Sequence, residues 1–250
     1  DFDDVVFALP IATVPLIAHD LVTHSKAWSE AVEKIETVPT QALQLWLTEP
    51  ASTLSDHADG SVVGGFAEPY DTWADMGHLK AQERVGAATV AYFCNVLVDT
   101  PPPPRGPDAK AWLKDQDALV RAQAVRFLRR DIRHLWAHAL DPVTGEFDWN
   151  RLVAPPGVVG EARLDYQFLR ANVEPSERYV LSVPGSSAHR IHPGDTGFGN
   201  LYAAGDWTAC GLDAGCVEAA TMSGLLAANA ILAKVGATTE IRYIIGYDGP

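Results

Sequence analysis

Residues Asn200–Leu232 read NLYAAGDWTACGLDAGCVEAATMSGLLAANAIL, and the order of residue types in this stretch decides the fold. Asn200–Ala204 is a short apolar segment with the composition of a buried strand. Gly205 and Asp206 close it, and Gly211 and Gly215 punctuate the loop that follows. From about Cys216 the chain turns to small and apolar residues at helical spacing. Ala220, Ser223, Gly224, Ala227 and Ala228 keep one helix side thin, while Leu225, Leu226, Ile231 and Leu232 supply burial. The stretch predicts a strand, a sharp loop and a helix N-terminus gathered round one carboxylate.

That grouping has a chemistry. Ligands of such sheets collect at the carboxyl ends of strands, which is where Asp206 would present an acceptor for a ligand hydroxyl. Gly205 lets the backbone come close to a bulky ligand. The first amides of the helix have no internal partner and, with the positive end of its dipole, suit an electron-rich oxygen. An acid for a sugar-like hydroxyl beside a helix start for an oxygen resembles half of a dinucleotide site. The plain alternative is a buried strand–turn–helix corner whose aspartate caps a turn.

Outward from this stretch the elements are mixed. DFDDVVFALP (1–10) reads as a strand buried on both faces and stopped by Pro10, which suggests the later part of something longer. Thr13–Ile35 is helix-like, with Trp28, Val32 and Ile35 on one face. Gln41–Leu47, Ser61–Glu68 and Thr89–Asp99 read as strands, and Thr100–Pro107 (TPPPPRGP) as a stiff loop. Asp108–Leu140 is a long helical segment with an apolar stripe of Leu128, Ile132, Leu135 and Ala139. Arg178–Val183 returns as a strand. This is mixed sheet and helix rather than strict βαβ alternation.

Composition sets limits. Of the 250 residues, 47% are hydrophobic, enough for a sizeable core. The net charge of −13 argues against nucleic acid. No apolar run reaches the roughly 18–20 residues that span a bilayer, and no signal-peptide pattern is present. Cys94, Cys210 and Cys216 have neither metal nor disulfide-framework spacing, which suggests a reducing, cytoplasmic compartment. Arg126, Arg129, Arg130 and Arg133 line one helix face, read first as solvated. The second reading is a patch for anionic headgroups, that is, peripheral membrane contact. His134 and His138 stand four apart, without the carboxylates a metal site would need, so no metal is expected.

NLYAAGDWT followed by AGCVEAATMSGLLAANAI resembles the C-terminal flavin-binding signature of the FAD-dependent amine oxidase and phytoene desaturase superfamily. DDVVFALP resembles that family's strand leaving the FAD domain, and ANVEPSERYVLSVPGS (171–186) resembles its desaturase-like branch. The resemblance implies an α/β (mixed α+β) chain. It would comprise a mixed-sheet substrate domain with helices (13–175) and the final strand–loop–helix of an FAD-binding domain (1–12 and 176–250). It implies that Asp206 bonds the ribityl or phosphate part of FAD and that Gly205 and Trp207 line the ribityl channel. The amide of Val217 would face the isoalloxazine, flanked by Cys216 and Glu218, with Gly215 shaping the loop and Glu218 bonding back to it. The family's G-x-G-x-x-G strand–turn–helix, which holds the pyrophosphate, is absent from these residues. The chain is therefore expected to be the C-terminal half of a flavoenzyme, its partner a separate or missing dinucleotide-binding segment.

Amine oxidases of the superfamily carry a lysine on the first substrate-domain strand. Here Gln44 or Leu45 falls at that position, and Cys216 stands where an aromatic often precedes the flavin-facing amide. Both departures point to the carotenoid and squalene-type desaturase branch, with Gln44, Trp46, Phe66, Tyr70 and Trp73 forming an apolar pocket for a hydrocarbon. For each aromatic, ordinary core is the competing reading. No catalytic side chain is named. The expected activity is FAD-dependent oxidation of an apolar, terpenoid-like substrate. The alternatives are an amine oxidase releasing peroxide and an imine, and a non-catalytic module.

Overall fold

In chain order the strands are β1 (Val5–Phe7), β2 (Thr37–Val38), β3 (Thr40–Leu47), β4 (Val62–Val63), β5 (Thr72–Asp75), β6 (Thr89–Val96), β7 (Phe168–Asn172), β8 (Tyr179–Val180) and β9 (Leu201–Ala203). The α-helices are α1 (Val14–Ile17), α2 (His19–His24), α3 (Lys26–Lys34), α4 (Lys80–Glu83), α5 (Ala109–Arg130) and α6 (Val217–Lys234). The structure is a computed structural model that describes residues 2–65, 67–98, 100, 103–104 and 106–239. Phe66 lies outside the described residues, as do Pro101, Pro102 and Arg105 of the proline-rich loop. The chain has the mixed α/β character its sequence implied, and it divides into two compact units, Asp1–Val38 with Glu174–Pro250, and Pro39–Val173.

In the first unit β1 runs parallel to β9, with Val6 opposite Tyr202, and β2 pairs antiparallel with β8. The region 13–35 is three short helices rather than one, because the backbone leaves helical angles at Ala18 and Ser25. Ser25 then caps α3 by accepting from the Trp28 amide at 3.5 Å. Trp28 and Ala31 of α3, with Ile35 just beyond it, point into a core shared with Phe7, Val180, Ala203 and Trp207. The Trp28 and Trp207 rings lie 5.8 Å apart, and the Trp28 indole donates to the Thr196 carbonyl at 3.1 Å.

The second unit is built on one antiparallel sheet in the order β4-β5-β6-β3-β7. Eight residues of β3 pair with β6, Thr40 opposite Val96 and Leu47 opposite Thr89. Alternation along β3 assigns its two faces. Leu43, Leu45 and Leu47 enter the core with Trp73, Ala91 and Phe93, against Ala124, Phe127 and Leu128 of α5. Ala42, Gln44 and Trp46 occupy the other face.

Several expected spans are shorter in the structure. Among the described residues of 61–68 only Val62–Val63 form a strand, because Gly65 takes a φ of +74°. Asp108–Leu140 is helix only to Arg130, beyond which two 3-10 turns carry the same apolar stripe into the core. Among the described residues no helix is long and apolar enough to cross a membrane.

Candidate functional site

The β9–α6 corner of the first unit is held by side chains from three directions. Ser223 on α6 accepts from the Gly205 amide at 2.7 Å and donates to the Ala220 carbonyl at 2.7 Å, tying the strand's end to the helix. Gly205 has φ +149°, and a Cβ there would lie 2.6 Å from the Trp207 indole nitrogen. The neighbour that demands glycine is thus Trp207. Its ring is fully buried against Phe7 and Trp28, and its N–H donates to the Leu9 carbonyl at 3.0 Å. The structure makes Trp207 a core residue.

Arg190 forms the second hold. It is 6% exposed, and its guanidinium donates to the Asp206 carbonyl at 2.6 Å and to Ser182 Oγ at 3.3 Å, with Asp213 Oδ1 3.8 Å from Nε. Sequence reading passed over this residue as part of a polar turn. Its one signal is a lone charge among apolar and turn-forming residues (AHRIHPG) just before a buried strand. The third hold closes the loop from β8. Tyr179 donates to the Gly215 carbonyl and Ser182 to the Asp213 carbonyl. A Cβ on Gly215 would meet the Tyr179 ring at 2.6 Å and the Val180 carbonyl at 2.9 Å.

Within this frame two groups stay available. Asp206 is half-buried, and burial raises its carboxyl above the usual carboxylate range, although the Arg190 charge and its own amide pull the other way. No other side chain bonds that carboxyl among the described residues. Cys216 is the N-cap of α6, its Sγ accepting from the Ala219 amide at 3.4 Å and its carbonyl from Ala220. The amides of Val217 and Glu218 therefore have no acceptor among the described residues, and Val217 is 79% exposed. Glu218 is exposed and does not bond back to the loop as expected. An acceptor for a hydroxyl and donors for an oxygen both fit the flavin end of a dinucleotide. His189 sits 3.6 Å from Glu30, and His192 accepts from the Gly194 amide.

In the second unit the expected pocket residues separate by face. Gln44 is half-buried, opposite Tyr92 on β6 and Phe168 on β7. Leu45 points the other way and is fully buried, so of the two positions Gln44 holds the more open face. Trp46 shares that face. Its indole donates to Glu83 at 3.0 Å, and it lines a cavity of about 330 Å³ with Val85, Val153, Pro155 and Tyr166. Tyr70 and Trp73 are fully buried in the core instead. Trp73 pairs with Phe93 and stacks edge-on to Trp136 at 5.9 Å. The Tyr70 hydroxyl donates to the Val120 carbonyl at 3.3 Å, and burial holds its phenol well above the usual range. Cys94, Cys210 and Cys216 are unbridged, and no metal-binding group of three or more His, Cys, Asp or Glu occurs among the described residues.

The family model described as flavin containing amine oxidoreductase matches residues 1–232. Among solved structures, an oxidoreductase from Methanosarcina mazei is similar over 89% of this chain, with a TM-score of 0.50 and 13% sequence identity. At that identity the likeness is one of fold. This chain spans 42% of the length of that protein. No curated protein matches.

Proposed function

Since the chain belongs to the flavin-containing amine oxidoreductase family, we propose that it is the C-terminal part of an FAD-dependent oxidoreductase. The first unit would hold the flavin end of FAD, and the second unit would hold the substrate. The division expected from sequence, residues 1–12 and 176–250 for the FAD-binding domain and 13–175 for the substrate domain, differs from these units chiefly at residues 13–38, whose Val14, Trp28, Ala31 and Ile35 pack into the core of the first unit. The observation that carries it is the β9–α6 corner, where a desolvated carboxyl without a side-chain bond and two open helix amides are fixed by Arg190, Tyr179 and Ser223.

Bound FAD would supply a two-electron acceptor for substrate oxidation. Asp206 would accept from a ribityl hydroxyl, and the Val217 and Glu218 amides would donate to a ring oxygen and stabilise the negative charge that accompanies reduction. Gly205, Trp207 and Gly215 hold the corner's shape, and Cys216 sets where the helix begins. The pyrophosphate cradle would come from a Gly-rich strand–turn–helix outside these 250 residues.

For the substrate we favour an apolar, terpenoid or carotenoid-like molecule over an amine. Gln44 offers no ammonium or amine where the amine oxidases have lysine, and Trp46, Tyr92 and Phe168 give its sheet face an aromatic surface. The test is coexpression with a chain carrying the Gly-rich unit. The pair should copurify with yellow flavin, and a polyene should bleach it anaerobically. Amines, amino acids and polyamines should give no peroxide. Rapid bleaching by a simple amine, with peroxide on readmitting air, would establish the amine oxidase reading instead. A pair that stays colourless would leave the non-catalytic module.

A further inference from the structure

The second unit has a cleft of about 730 Å³ on the α5 side of its sheet, within the size range of small-molecule sites. Gln41 on β3 lines it, on the face opposite Gln44, so the sheet separates it from the proposed substrate face. Gln41 is 2% exposed, and its amide nitrogen donates to the Val96 carbonyl at 3.4 Å, which turns Oε1 away from that partner. That Oε1 is buried with no hydrogen bond. Gln123 of α5 lines the same cleft, and its Oε1 is likewise buried without a partner. Two unpaired buried acceptors in one cleft are costly unless something donates to them. The Glu68 carboxylate is a third acceptor in the lining. It holds the Asn95 amide at 2.6 Å, and Asn95 Oδ1 is in turn occupied by the Val96 N–H at 2.7 Å.

The fourth group is a cation. Along α5, Arg121 pairs with Asp165 at 2.7 Å, Arg129 with Glu161 at 2.9 Å, and Arg130 lies 3.5 Å from Asp131. Arg133, beyond the helix, donates to the carbonyls of Arg129 and Arg130. Arg126 has no such partner among the described residues, is exposed, and lines the cleft one turn from Gln123. Residues three apart on a helix have Cβ atoms about 5–6 Å from one another. The cleft thus offers acceptors at its buried end, a guanidinium close by, and aliphatic walls from Val98 and Leu119.

We propose that this cleft binds a zwitterionic amino acid with an aliphatic side chain. Its ammonium would donate to Gln41, Gln123 and Glu68, its carboxylate would meet Arg126, and its side chain would lie on the aliphatic wall. Three N–H donors match three acceptors, and the short Gln123–Arg126 span matches two charges carried on one α-carbon. A polyamine would set a second cation against Arg126, and a simple carboxylate would leave the glutamine oxygens unpaired.

Calorimetric titration of the chain without flavin tests this with L-leucine, isoamylamine (no carboxylate) and 4-methylpentanoate (no ammonium). Leucine should saturate, and each truncated analogue should bind at least about tenfold more weakly. Gln123→Leu should weaken leucine and isoamylamine but not 4-methylpentanoate. Arg126→Ala should weaken leucine and 4-methylpentanoate but not isoamylamine, and Gln44→Ala, on the opposite sheet face, should leave leucine affinity unchanged. Gln41→Leu should abolish leucine binding with the circular dichroism spectrum retained; should it misfold, the partly exposed Gln123 and Arg126 still decide. No saturation in the millimolar range, indifference to both helix variants, or loss of binding in Gln44→Ala would overturn the proposal. None of these results depends on whether the chain takes up FAD.

Discussion

Asp206 is the residue whose two roles pull apart. Burial raises its carboxyl pKa, so between the ordinary carboxylate range and the raised value the folded chain holds a proton that the unfolded chain has released. Stability is unaffected by this group below that window and falls as pH rises through it. Asp206→Asn should therefore be at least as stable as the parent at neutral pH, with the difference vanishing in acid. Thermal unfolding across pH checks this, and a less stable Asn variant at pH 7 would refute the assignment. Asp206→Ala in the flavin-loaded pair should weaken FAD binding about ten- to a hundredfold, as expected for a hydrogen bond to a charged group. At this scale the sequence exposed the carboxylate, because acid, glycine and helix start are contiguous. It hid Arg190, whose one local signal, a lone charge among turn-forming residues, leaves its burial unspecified. It also could not tell Trp46 from Trp73: both are tryptophans on strands, and only register decides which one faces the core.

Elements were legible where one pattern ran without interruption. Gln41–Leu47 and the helix from Val217 are such runs, and both formed as their spacing predicts. Thr13–Ile35 has one apolar face and neither glycine nor proline at its breaks; Ala18 carries no signal, and Ser25 carries only that of an N-cap residue type. The loop between β9 and α6 shows the same dependence on distant residues. Gly215 is needed because β8 passes beside it, which a linear reading cannot see. The Tyr179 ring can swing away from an added methyl, but the Val180 carbonyl is backbone and cannot. Gly215→Ala should break the Tyr179 bond and cost roughly 1–3 kcal/mol, in the range of an overpacked site. The denaturant midpoint should drop with its slope unchanged. Amide exchange should quicken at Leu181, which bonds the Glu36 carbonyl at 2.9 Å. An unaltered midpoint would mean the loop simply shifts.

At the scale of the molecule, the second unit is one continuous segment with its own sheet, its own helix and a core of its own. Residues 39–173 expressed alone should fold cooperatively, giving a single unfolding transition and the leucine binding proposed for the cleft. A molten profile without near-ultraviolet circular dichroism would show that it borrows stability from elsewhere. The first unit is assembled from two segments, and order along the chain could not reveal that Trp28 bonds Thr196, 168 residues away. The β1–β9 pairing is the extreme case, since Val5 must find Leu201. During synthesis β1 leaves the ribosome with its partner still roughly 200 residues from being made, a wait of about 10 to 40 s at typical elongation rates. Through that interval Val5, Val6 and Phe7 form an unpaired apolar edge on a nascent chain, while 39–173 can already close on itself. Chaperone capture during translation should concentrate on Val5–Phe7 and end once Leu201–Ala203 has emerged.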